Sequence, residues 1–229
     1  MDYSERKFIA RFGKRPLKKI GEGSYGKVYA WGEKAVKIWR DQDAPAELKI
    51  ARLLSKCGVG PKIYCSGKLH GDTHYMIMKR LDGSLRQLKK LHGNKTEVRQ
   101  QIDIQLKNLV TKMHALGVVH ADLNNSNIGY TYNRKSRTLR LFIIDFGFSV
   151  MSKKSFLTGQ NLLKLYAQAY RKKGITSDMI MSQGKGSMVR DRFMCELSKN
   201  QRIALKGKAV RVKNILRKID RPSIRVRFF

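Results

Sequence analysis

The sequence predicts an α+β protein with two lobes: a small N-terminal lobe built on an antiparallel sheet with one helix, and a reduced, mainly helical C-terminal lobe. Short runs in which apolar and polar residues alternate recur between residues 20 and 79, which indicates strands. Apolar residues then repeat every three or four positions over residues 96–116, which indicates a long helix. The length of 229 residues suits one domain or two small lobes, and we place two lobes at residues 1–80 and 81–229.

The charge of the chain is strongly unbalanced. Lysine and arginine number 49, aspartate and glutamate 17, and half of the net charge of +32 lies in residues 151–229, about a third of the chain. Such a field attracts polyanions, whether nucleic acid, acidic protein or an anionic membrane surface. A solvated basic face is the usual alternative, and the sequence has no zinc finger or other nucleic-acid motif. We therefore predict polyanion contact without sequence specificity, mostly through residues 151–229.

Composition also bears on the compartment. The chain has no apolar run long enough to span a bilayer and no apolar segment near its start that would act as a secretory signal. Cys57, Cys65 and Cys195 are odd in number and form no C-x-x-C pair, so we predict reduced thiols in the cytoplasm or nucleus rather than disulfides or zinc. We place Cys57 and Cys65 in the core. Nothing in the sequence indicates an oligomeric state.

The segment from Ile20 to Tyr29 reads I-G-E-G-S-Y-G-K-V-Y and fits the pattern G-x-G-x-x-G-x-V. Glycine at Gly21, Gly23 and Gly26 lets a hairpin backbone approach phosphate groups closely. The pattern alone is weak, because dinucleotide-binding folds share it and an ordinary glycine-rich hairpin also fits it. Here it continues into an alternating strand at Val28 instead of opening a helix, which favours a hairpin that covers phosphates.

A second predicted strand, residues 34–39, carries Lys37 between apolar neighbours. The helix that follows is predicted to start after Asp43 and to end at Gly58. Its periodicity turns Glu47 inward, where a carboxylate needs a cationic partner, and Lys37 is the obvious candidate. Taken singly, each of the two would be interpreted as a solvated surface residue. The apolar stripe of this helix is Ile50, Leu53, Leu54 and Cys57.

The remaining elements are predicted from the same periodicities. Strands are expected at residues 62–67 and 73–79, followed by a short helix, and a long helix is expected at residues 96–116. Three further helices are expected around residues 160–172, 187–198 and 209–219. The predicted buried stripe of the long helix is Ile102, Leu106, Leu109, Met113 and Leu116.

Residues 118–147 hold the strongest chemical signal. Asp122 and Asp145 stand at the edges of short apolar runs, and Asn127 follows Asp122 by five positions. This spacing suits a loop that places a proton acceptor beside a metal ligand. Residues 128–144 alternate like a hairpin around a polar turn, so that a strand would end just before Asp145 and hold its carboxylate in place.

This stretch resembles the catalytic loop and the metal-binding motif of protein kinases. The run from His120 to Leu123, with Asn127, matches H-R-D-L-x-x-x-N apart from the arginine, and Asp145-Phe146-Gly147 matches D-F-G. The glycine pattern and the A-V-K-I strand around Lys37 precede them in the order that kinases have. Over roughly residues 15 to 170 the chain is thus identified as a member of the protein kinase superfamily, which implies a bilobal protein-kinase-like fold.

The resemblance implies ATP- and Mg²⁺-dependent phosphoryl transfer to serine or threonine of protein substrates. In the C-terminal lobe, Asp122 would orient the acceptor hydroxyl and take its proton. Asn124 would stand beside it in the catalytic loop. Asn127 and Asp145 would bind Mg²⁺ through their side-chain oxygens.

In the N-terminal lobe the resemblance implies nucleotide binding. Lys37, held by Glu47, would orient the α- and β-phosphates. Met78 would be the gatekeeper, and residues 79–81 would be the hinge whose backbone bonds the adenine. The residues implied to bind ATP are Ile20, Gly21, Gly23, Gly26, Val28, Ala35, Lys37, Met78, Lys79 and Leu81.

Three departures from the kinase pattern leave an alternative open. Ala121 replaces the arginine that reads activation-loop phosphate, Asn124 stands where a lysine usually touches the γ-phosphate, and no A-P-E motif follows Gly147. The alternative is a kinase-like ATPase or scaffold subunit that binds a partner or nucleic acid with little protein kinase activity.

Several subgroups of kinases share local features with this chain. Residues 20–26 and 78–85 resemble the casein-kinase and vaccinia-related group, whereas residues 120–127 resemble the small atypical kinases of the KEOPS tRNA-modification complex. Compact size and high charge also suit viral kinases packaged in virions, which would place the protein in a virion or a host cell. The sequence does not choose among these.

Overall fold

The computed structural model describes residues 8, 17–23, 26–41, 44–92 and 96–152. The chain divides into two compact units, Met1–Leu81 and Asp82–Phe229, one residue from the boundary predicted above. Each unit is described by itself below. The predicted cap Asp43, the cysteine Cys195 and the three helices predicted after residue 152 lie outside the described residues, as does almost all of the basic segment 151–229.

In its described residues, the first unit is an antiparallel sheet of five strands onto which the helix Ala44–Lys56 packs. The strand order is β1-β2-β3-β5-β4, and the helix α1 connects β3 to β4. This confirms the α+β class and the sheet predicted for the small lobe. The elements are β1 (Lys18–Glu22), β2 (Gly26–Trp31), β3 (Lys34–Arg40), α1 (Ala44–Lys56), β4 (Ile63–Lys68) and β5 (Thr73–Lys79).

Strand register separates the sheet into two faces. Lys37 on β3 lies opposite Val28 on β2, and Ala35 lies opposite Met78 on β5. Directly opposed side chains share a face, as do alternate residues of one strand, so these four side chains lie on one face. The other face carries the apolar cluster Tyr29, Val36, Ile38 and Ile77.

Helix α1 ends as the sequence predicts. Gly58 adopts a left-handed conformation with φ of 70°, and the backbone N–H groups of Val59 and Gly60 donate to Leu54 O. This is the hydrogen bonding that a glycine after the last turn permits. Two side chains bind the helix to β4, since Arg52 Nη2 donates to Ser66 Oγ at 2.6 Å and Ser55 Oγ accepts from Ile63 N at 3.0 Å.

The cysteine placement predicted for this unit is wrong. Cys65 is exposed, because β4 is the edge strand of the sheet and a register shift falls between Ile63 and Cys65. Cys57 is only half-buried, because it follows the last helical residue. Leu53 is also half-buried, and the interior face of α1 runs instead through Ala44, Glu47, Leu48, Ile50, Ala51 and Leu54.

Up to residue 152, where the described part of the chain ends, the second unit contains two helices and two small sheets. One sheet has the order β6-β8-β9 and the other pairs β7 with β10. The hairpin predicted over residues 128–144 is present, and Asn133 Oδ1 closes its turn by accepting from the N–H groups of Lys135 and Ser136. The elements are β6 (Gly83–Ser84), α2 (Leu85–His92), α3 (Thr96–Ala115), β7 (Val118–Val119), β8 (Ile128–Asn133), β9 (Thr138–Ile143) and β10 (Val150–Met151).

The long helix α3 packs against the hairpin with a slightly different stripe from the predicted one. Leu109 and Leu116 are only half-buried, and Val110 is buried in place of Leu109, because the buried positions follow spacings of four rather than alternating four and three. Gln105 fixes the contact with β9: its side chain donates to Leu139 O and accepts from Leu141 N. These bonds satisfy backbone groups of an edge strand that would otherwise be unpaired.

Among the described residues, none of the helices is both long and apolar enough to cross a membrane.

Candidate active site

The glycine-rich hairpin of the first unit joins β1 to β2. Gly23 N donates to Gly26 O at 2.9 Å and closes the turn. Gly26 lies opposite Trp39, and a Cβ at this position would stand 2.5 Å from Ile38 O, closer than real Cβ atoms come. A Cβ at Gly23 would meet nothing within 4 Å. Gly26 is therefore required by packing, whereas the space around Gly23 is open to a ligand.

The ion pair predicted from helical phase and strand position is present. Lys37 Nζ lies 2.7 Å from Glu47 Oε1, and the two side chains are 15% and 5% exposed. β3 presents the lysine and the first turn of α1 presents the carboxylate. Because both groups are largely removed from water, the pairing satisfies charges that would be costly to bury alone.

Trp39 is a member of this site that the sequence did not single out. Its ring lies 5.0 Å from Lys37 Nζ, a cation–π distance, and the residue is only 2% exposed. Strand alternation could have found it, since residue 39 follows residue 37 by two positions and so shares its face. The ammonium of Lys37 is thus held from two sides, by a carboxylate and by an aromatic ring.

The other residues predicted to bind nucleotide also fall in this unit. Val28, Ala35, Lys37 and Met78 share one face of the sheet, as their register requires, although Met78 is only half-buried and not fully in the core. Ile20 is 49% exposed on β1.

The predicted hinge shows which backbone groups remain for a ligand. Lys79 N donates to Lys62 O and Arg80 N donates to Glu33 O, each at 2.8 or 2.9 Å. Both amides are therefore used within the unit. Of the predicted hinge residues, Leu81 is the one whose backbone N–H is available to an acceptor such as an adenine nitrogen.

In the second unit, the catalytic-loop carboxylate is held by two amide side chains. Asn127 Nδ2 donates to Asp122 Oδ2 at 2.9 Å and to Asp122 O at 2.8 Å. Asn124 Nδ2 lies 3.4 Å from Asp122 Oδ1 and 3.2 Å from Asp122 O. Because Asn127 donates from its nitrogen, its Oδ1 remains as a possible metal ligand. The loop therefore fixes the direction of the Asp122 carboxylate.

His120 connects the catalytic loop to the strand that leads to Asp145. Its ring is fully buried, with Nε2 2.9 Å from Ile144 O and Nδ1 3.2 Å from Asp122 N. The backbone N–H of Asp122 can only donate, so Nδ1 accepts and Nε2 carries the hydrogen that Ile144 O receives. The ring also contacts Phe146, at a centroid distance of 5.5 Å. The motif contains this histidine, but its bridging role became evident only from the structure.

Two residues of the loop region have a backbone conformation that is unusual for their type. Ala121 has φ of 62° and Asp145 has φ of 64°. Left-handed backbone is unfavourable for residues other than glycine and persists where surrounding bonds hold it. Here Ile144 N donates to Asn127 O at 2.9 Å and positions the chain immediately before Asp145. Asp145 is itself exposed, so its carboxylate is accessible.

The donor set of the second unit fits Mg²⁺ better than a transition metal. The described residues contain no group of three or more histidine, cysteine, aspartate or glutamate side chains that could enclose a metal. Mg²⁺ does not need such a cage, because it keeps most of its octahedral shell as water and phosphate oxygens and uses one or two protein oxygens. Asp145 and Asn127 supply oxygens of that kind.

Comparisons with known proteins agree with a kinase-like fold. A probable serine/threonine-protein kinase of Dictyostelium discoideum is 26% identical over 144 residues, which cover 57% of this chain and 29% of that protein. CDPK-related kinase 5 of Arabidopsis thaliana is 34% identical over 111 residues, covering 47% of this chain and 18% of that protein. The chain thus spans less than a third of the length of these relatives.

The fold, the motifs and these relatives define a protein of the protein-kinase-like superfamily. Within it, the chain belongs to the family of the ABC1 atypical kinase-like domain, whose model matches residues 61–176, about half of the chain. The match includes Asp122, Asn127 and Asp145 but begins after Lys37 and Glu47. The kinase character of the first unit therefore depends on its own geometry.

Proposed function

We propose that this protein is an ATP- and Mg²⁺-dependent kinase that transfers a phosphoryl group to serine or threonine of protein substrates. The observation that best supports the proposal is that the side-chain amides of Asn124 and Asn127 hydrogen-bond the Asp122 carboxylate and fix its direction. A carboxylate directed in this way suits an acceptor of the hydroxyl proton. The kinase-like domain and the kinase relatives support phosphoryl transfer in general; transfer to protein is our inference.

Each unit supplies a part of the chemistry. Mg²⁺ bound with ATP would supply a cation that neutralises the charge of the phosphates. Lys37, anchored by Glu47 and Trp39, orients the α- and β-phosphates, and the backbone of Gly21 and Gly23 covers them. Leu81 N donates to the adenine. These residues position the nucleotide, which is most of what a protein contributes to this reaction.

The second unit supplies the residues that would position the acceptor hydroxyl and hold the metal. Asp122 orients the acceptor hydroxyl and takes its proton, and Asp145 with Asn127 would hold the metal. His120 connects the catalytic loop to the segment that precedes Asp145. One ring nitrogen bonds the Asp122 backbone and the other bonds the Ile144 carbonyl. The position of both segments therefore depends on a ring that is fully buried.

A second candidate function is favoured by Asn124. Its side chain donates to Asp122, where kinases usually present a lysine to the γ-phosphate, and an amide brings no charge. An ATPase or scaffold subunit that binds a partner or nucleic acid would tolerate this loss better than a protein kinase. The resemblance of residues 120–127 to the atypical kinases of the KEOPS complex supports the same candidate. The casein-kinase-like and viral resemblances support the first.

The two candidate functions differ in whether the labelled phosphate is transferred to protein or released as free phosphate. Purified folded protein is incubated with γ-labelled ATP, Mg²⁺ and a mixture of acidic and basic model proteins, with Asp145→Ala as the matched control. The kinase predicts label on serine and threonine that disappears in Asp145→Ala. Release of free phosphate without labelling of protein would support the ATPase, if RNA or a partner stimulates that release. No release and no transfer from protein that binds ATP would contradict both enzymatic forms.

Compartment and partners follow as further proposals. We place the protein in a reducing cytoplasmic or nuclear setting, or in a virion or host cell if it is viral, with acidic polymers among its contacts. The exposed Cys65 is consistent with a reducing compartment, because an exposed thiol would be oxidised in an oxidising one. Cys65 labelled by a thiol reagent in intact cells would support this; a disulfide at Cys65 would contradict it.

A further inference from the structure

A cluster of lysines and aromatic rings lies at one end of the sheet in the first unit. Lys34 on β3 lies directly opposite Lys79 on β5, and Lys79 N donates to the carbonyl of Lys62, which precedes β4. Lys34 Nζ lies 5.0 Å from the ring centroids of both Trp31 and Tyr64. Lys62 Nζ lies 5.4 Å from the ring of Tyr64. We call these five residues the lysine–aromatic patch.

The side chains of the patch are separate from the candidate active site, although the backbone of Lys79 is part of the predicted hinge. Alternation along β3 places Lys34 on the face of Val36 and Ile38, opposite to the face that carries Lys37. Trp31 packs against that same apolar cluster. The active-site ammonium of Lys37 and the ammonium of Lys34 therefore point to opposite sides of the sheet.

Within the part of the chain that the structure describes, no ion pair balances the charge of a patch lysine. The ion pairs formed there include Lys19–Glu22 and Lys37–Glu47, and neither contains a patch residue. Like charges directly opposite each other on neighbouring strands are destabilising. The rings offset this in part through cation–π contact. A bound anion would remove the rest of the repulsion.

The exposed ring indicates which anion fits. Tyr64 is 44% exposed, and Lys62, whose ammonium lies at this ring, and Lys79 are also exposed. An acidic peptide or a free phosphate would need only the cations. Single-stranded nucleic acid would use both parts, since bases stack on aromatic rings irrespective of sequence while lysines bind the backbone phosphates.

We propose that the lysine–aromatic patch binds single-stranded nucleic acid, with phosphates at Lys34, Lys62 and Lys79 and a base stacked on Tyr64. Trp31 lies under Lys34 at the edge of this site. The proposal is independent of phosphoryl transfer, because its residues lie on the other face of the sheet. It also differs from the general polyanion contact predicted for residues 151–229, because stacking requires a ring as well as charge.

Tryptophan fluorescence gives a local readout in the full-length protein. The chain has two tryptophans, and Trp39 is only 2% exposed, so quenching by a ligand reports Trp31. A short oligouridylate is titrated at fixed salt, with inorganic polyphosphate as the probe of charge alone. We expect oligouridylate to quench the fluorescence with saturation, and Trp31→Phe to lose the quenching. Loss of the signal in Trp31→Phe distinguishes binding at the patch from binding beside Trp39 or elsewhere on the chain.

Matched variants test the contribution of ring and charge. Tyr64→Ala, and Lys34→Gln combined with Lys62→Gln, should each weaken the quenching affinity about tenfold, because each removes a stacking or phosphate contact. Tyr64→Phe keeps the ring and should bind like wild type. Lys49→Gln combined with Lys56→Gln removes the same charge from the exposed side of α1 and should change affinity by less than about twofold. Circular dichroism confirms that each variant is folded.

Three results would overturn the proposal. The first is no quenching by oligouridylate. The second is equal affinity in the patch variants and the α1 control, which would mean that only overall charge matters. The third is quenching by polyphosphate or a phosphoserine peptide that is as strong as with oligouridylate and insensitive to Tyr64→Ala, which would assign the patch to another anion.

Discussion

Lys37 is the residue on which the first unit's role in phosphoryl transfer depends. Replacing it with methionine keeps the length of the side chain but removes the cation that orients phosphate. We predict that Lys37→Met lowers transfer activity by at least about a hundredfold, the size of effect seen when one stabilising group is removed from a transition state. Glu47→Gln should have a smaller effect, because Lys37 keeps its charge and its contact with Trp39 but loses its anchor.

The matched control for this prediction is Lys34→Met. Lys34 lies on the same strand but on the opposite face of the sheet, so its removal should leave the transfer rate near the wild-type value. Initial rates with labelled ATP, measured on variants with unchanged circular dichroism, make the comparison. If Lys34→Met abolished transfer and Lys37→Met did not, the assignment of the phosphate-orienting lysine would be wrong.

His114 on α3 makes the stability of the second unit depend on pH. Burial lowers the pKa of His114 from its ordinary value of 6.5 to about 4. Between about pH 4 and pH 6.5, the unfolded chain therefore has a proton bound to this histidine and the folded protein does not. Stability is full above pH 6.5 and falls by about 3 kcal/mol between these two values. Burial also lowers the pKa of His74, which acts in the same direction.

Urea denaturation at pH 7 and at pH 5 measures this effect. Wild type should lose free energy of unfolding on acidification, and His114→Leu, of similar volume, should lose clearly less. The residual dependence in the variant would include the contribution of His74. An equal loss in both proteins would show that His114 does not cause the pH dependence.

At the scale of elements, two glycines of the hairpin between β1 and β2 have different roles. Gly26 is needed for packing, and Gly23 for contact with a ligand. Gly26→Ala should destabilise the first unit by about 1–3 kcal/mol, because its Cβ would collide with the backbone of β3 at Ile38 and Trp39. Gly23→Ala should fold normally, because space around it is open, but should raise the KM for ATP if phosphates lie against it. Thermal unfolding and steady-state kinetics are the two measurements. A normal KM in Gly23→Ala together with normal stability in Gly26→Ala would contradict both roles.

Most elements could be predicted from the sequence because their signals are local. Alternation and glycine positions give β2, β3, β5 and the β8–β9 hairpin within a residue or two, and helical phase turns Glu47 inward. Gly58 ends α1 at the predicted place, since a left-handed residue there is favoured for glycine. These features depend on near neighbours in the chain.

Features that depend on distant residues could not be predicted in this way. The exposure of Cys65 follows from the edge position of β4, which the sequence does not specify. The double hydrogen bond of Gln105 to β9 joins residues more than thirty positions apart. His120 was visible as part of a motif, yet its bonds to Asp122 and Ile144 required knowledge of two segments that approach in space.

At the scale of the whole molecule, the net charge of +32 predicts salt-dependent binding to polyanions. Neutralising several phosphates releases counterions, so log affinity for duplex DNA should fall linearly and steeply with log salt concentration. Fluorescence anisotropy of a labelled duplex across a salt series measures the slope. Substituting lysines and arginines of residues 151–229 with glutamine should reduce it, whereas the same number of substitutions in residues 44–92 should reduce it less. A flat salt dependence would contradict the prediction.

Phosphoryl transfer by this protein requires that Asp122 acts in the chemistry and not in folding. Asp122→Asn keeps the shape of the side chain and an oxygen that can accept from Asn127 Nδ2, so the loop should keep its structure. We predict that the variant binds Mg²⁺–ATP like wild type, by thermal shift, and transfers label to protein at least about a hundredfold more slowly. Equal transfer rates in wild type and Asp122→Asn, with binding intact in both, would contradict the account.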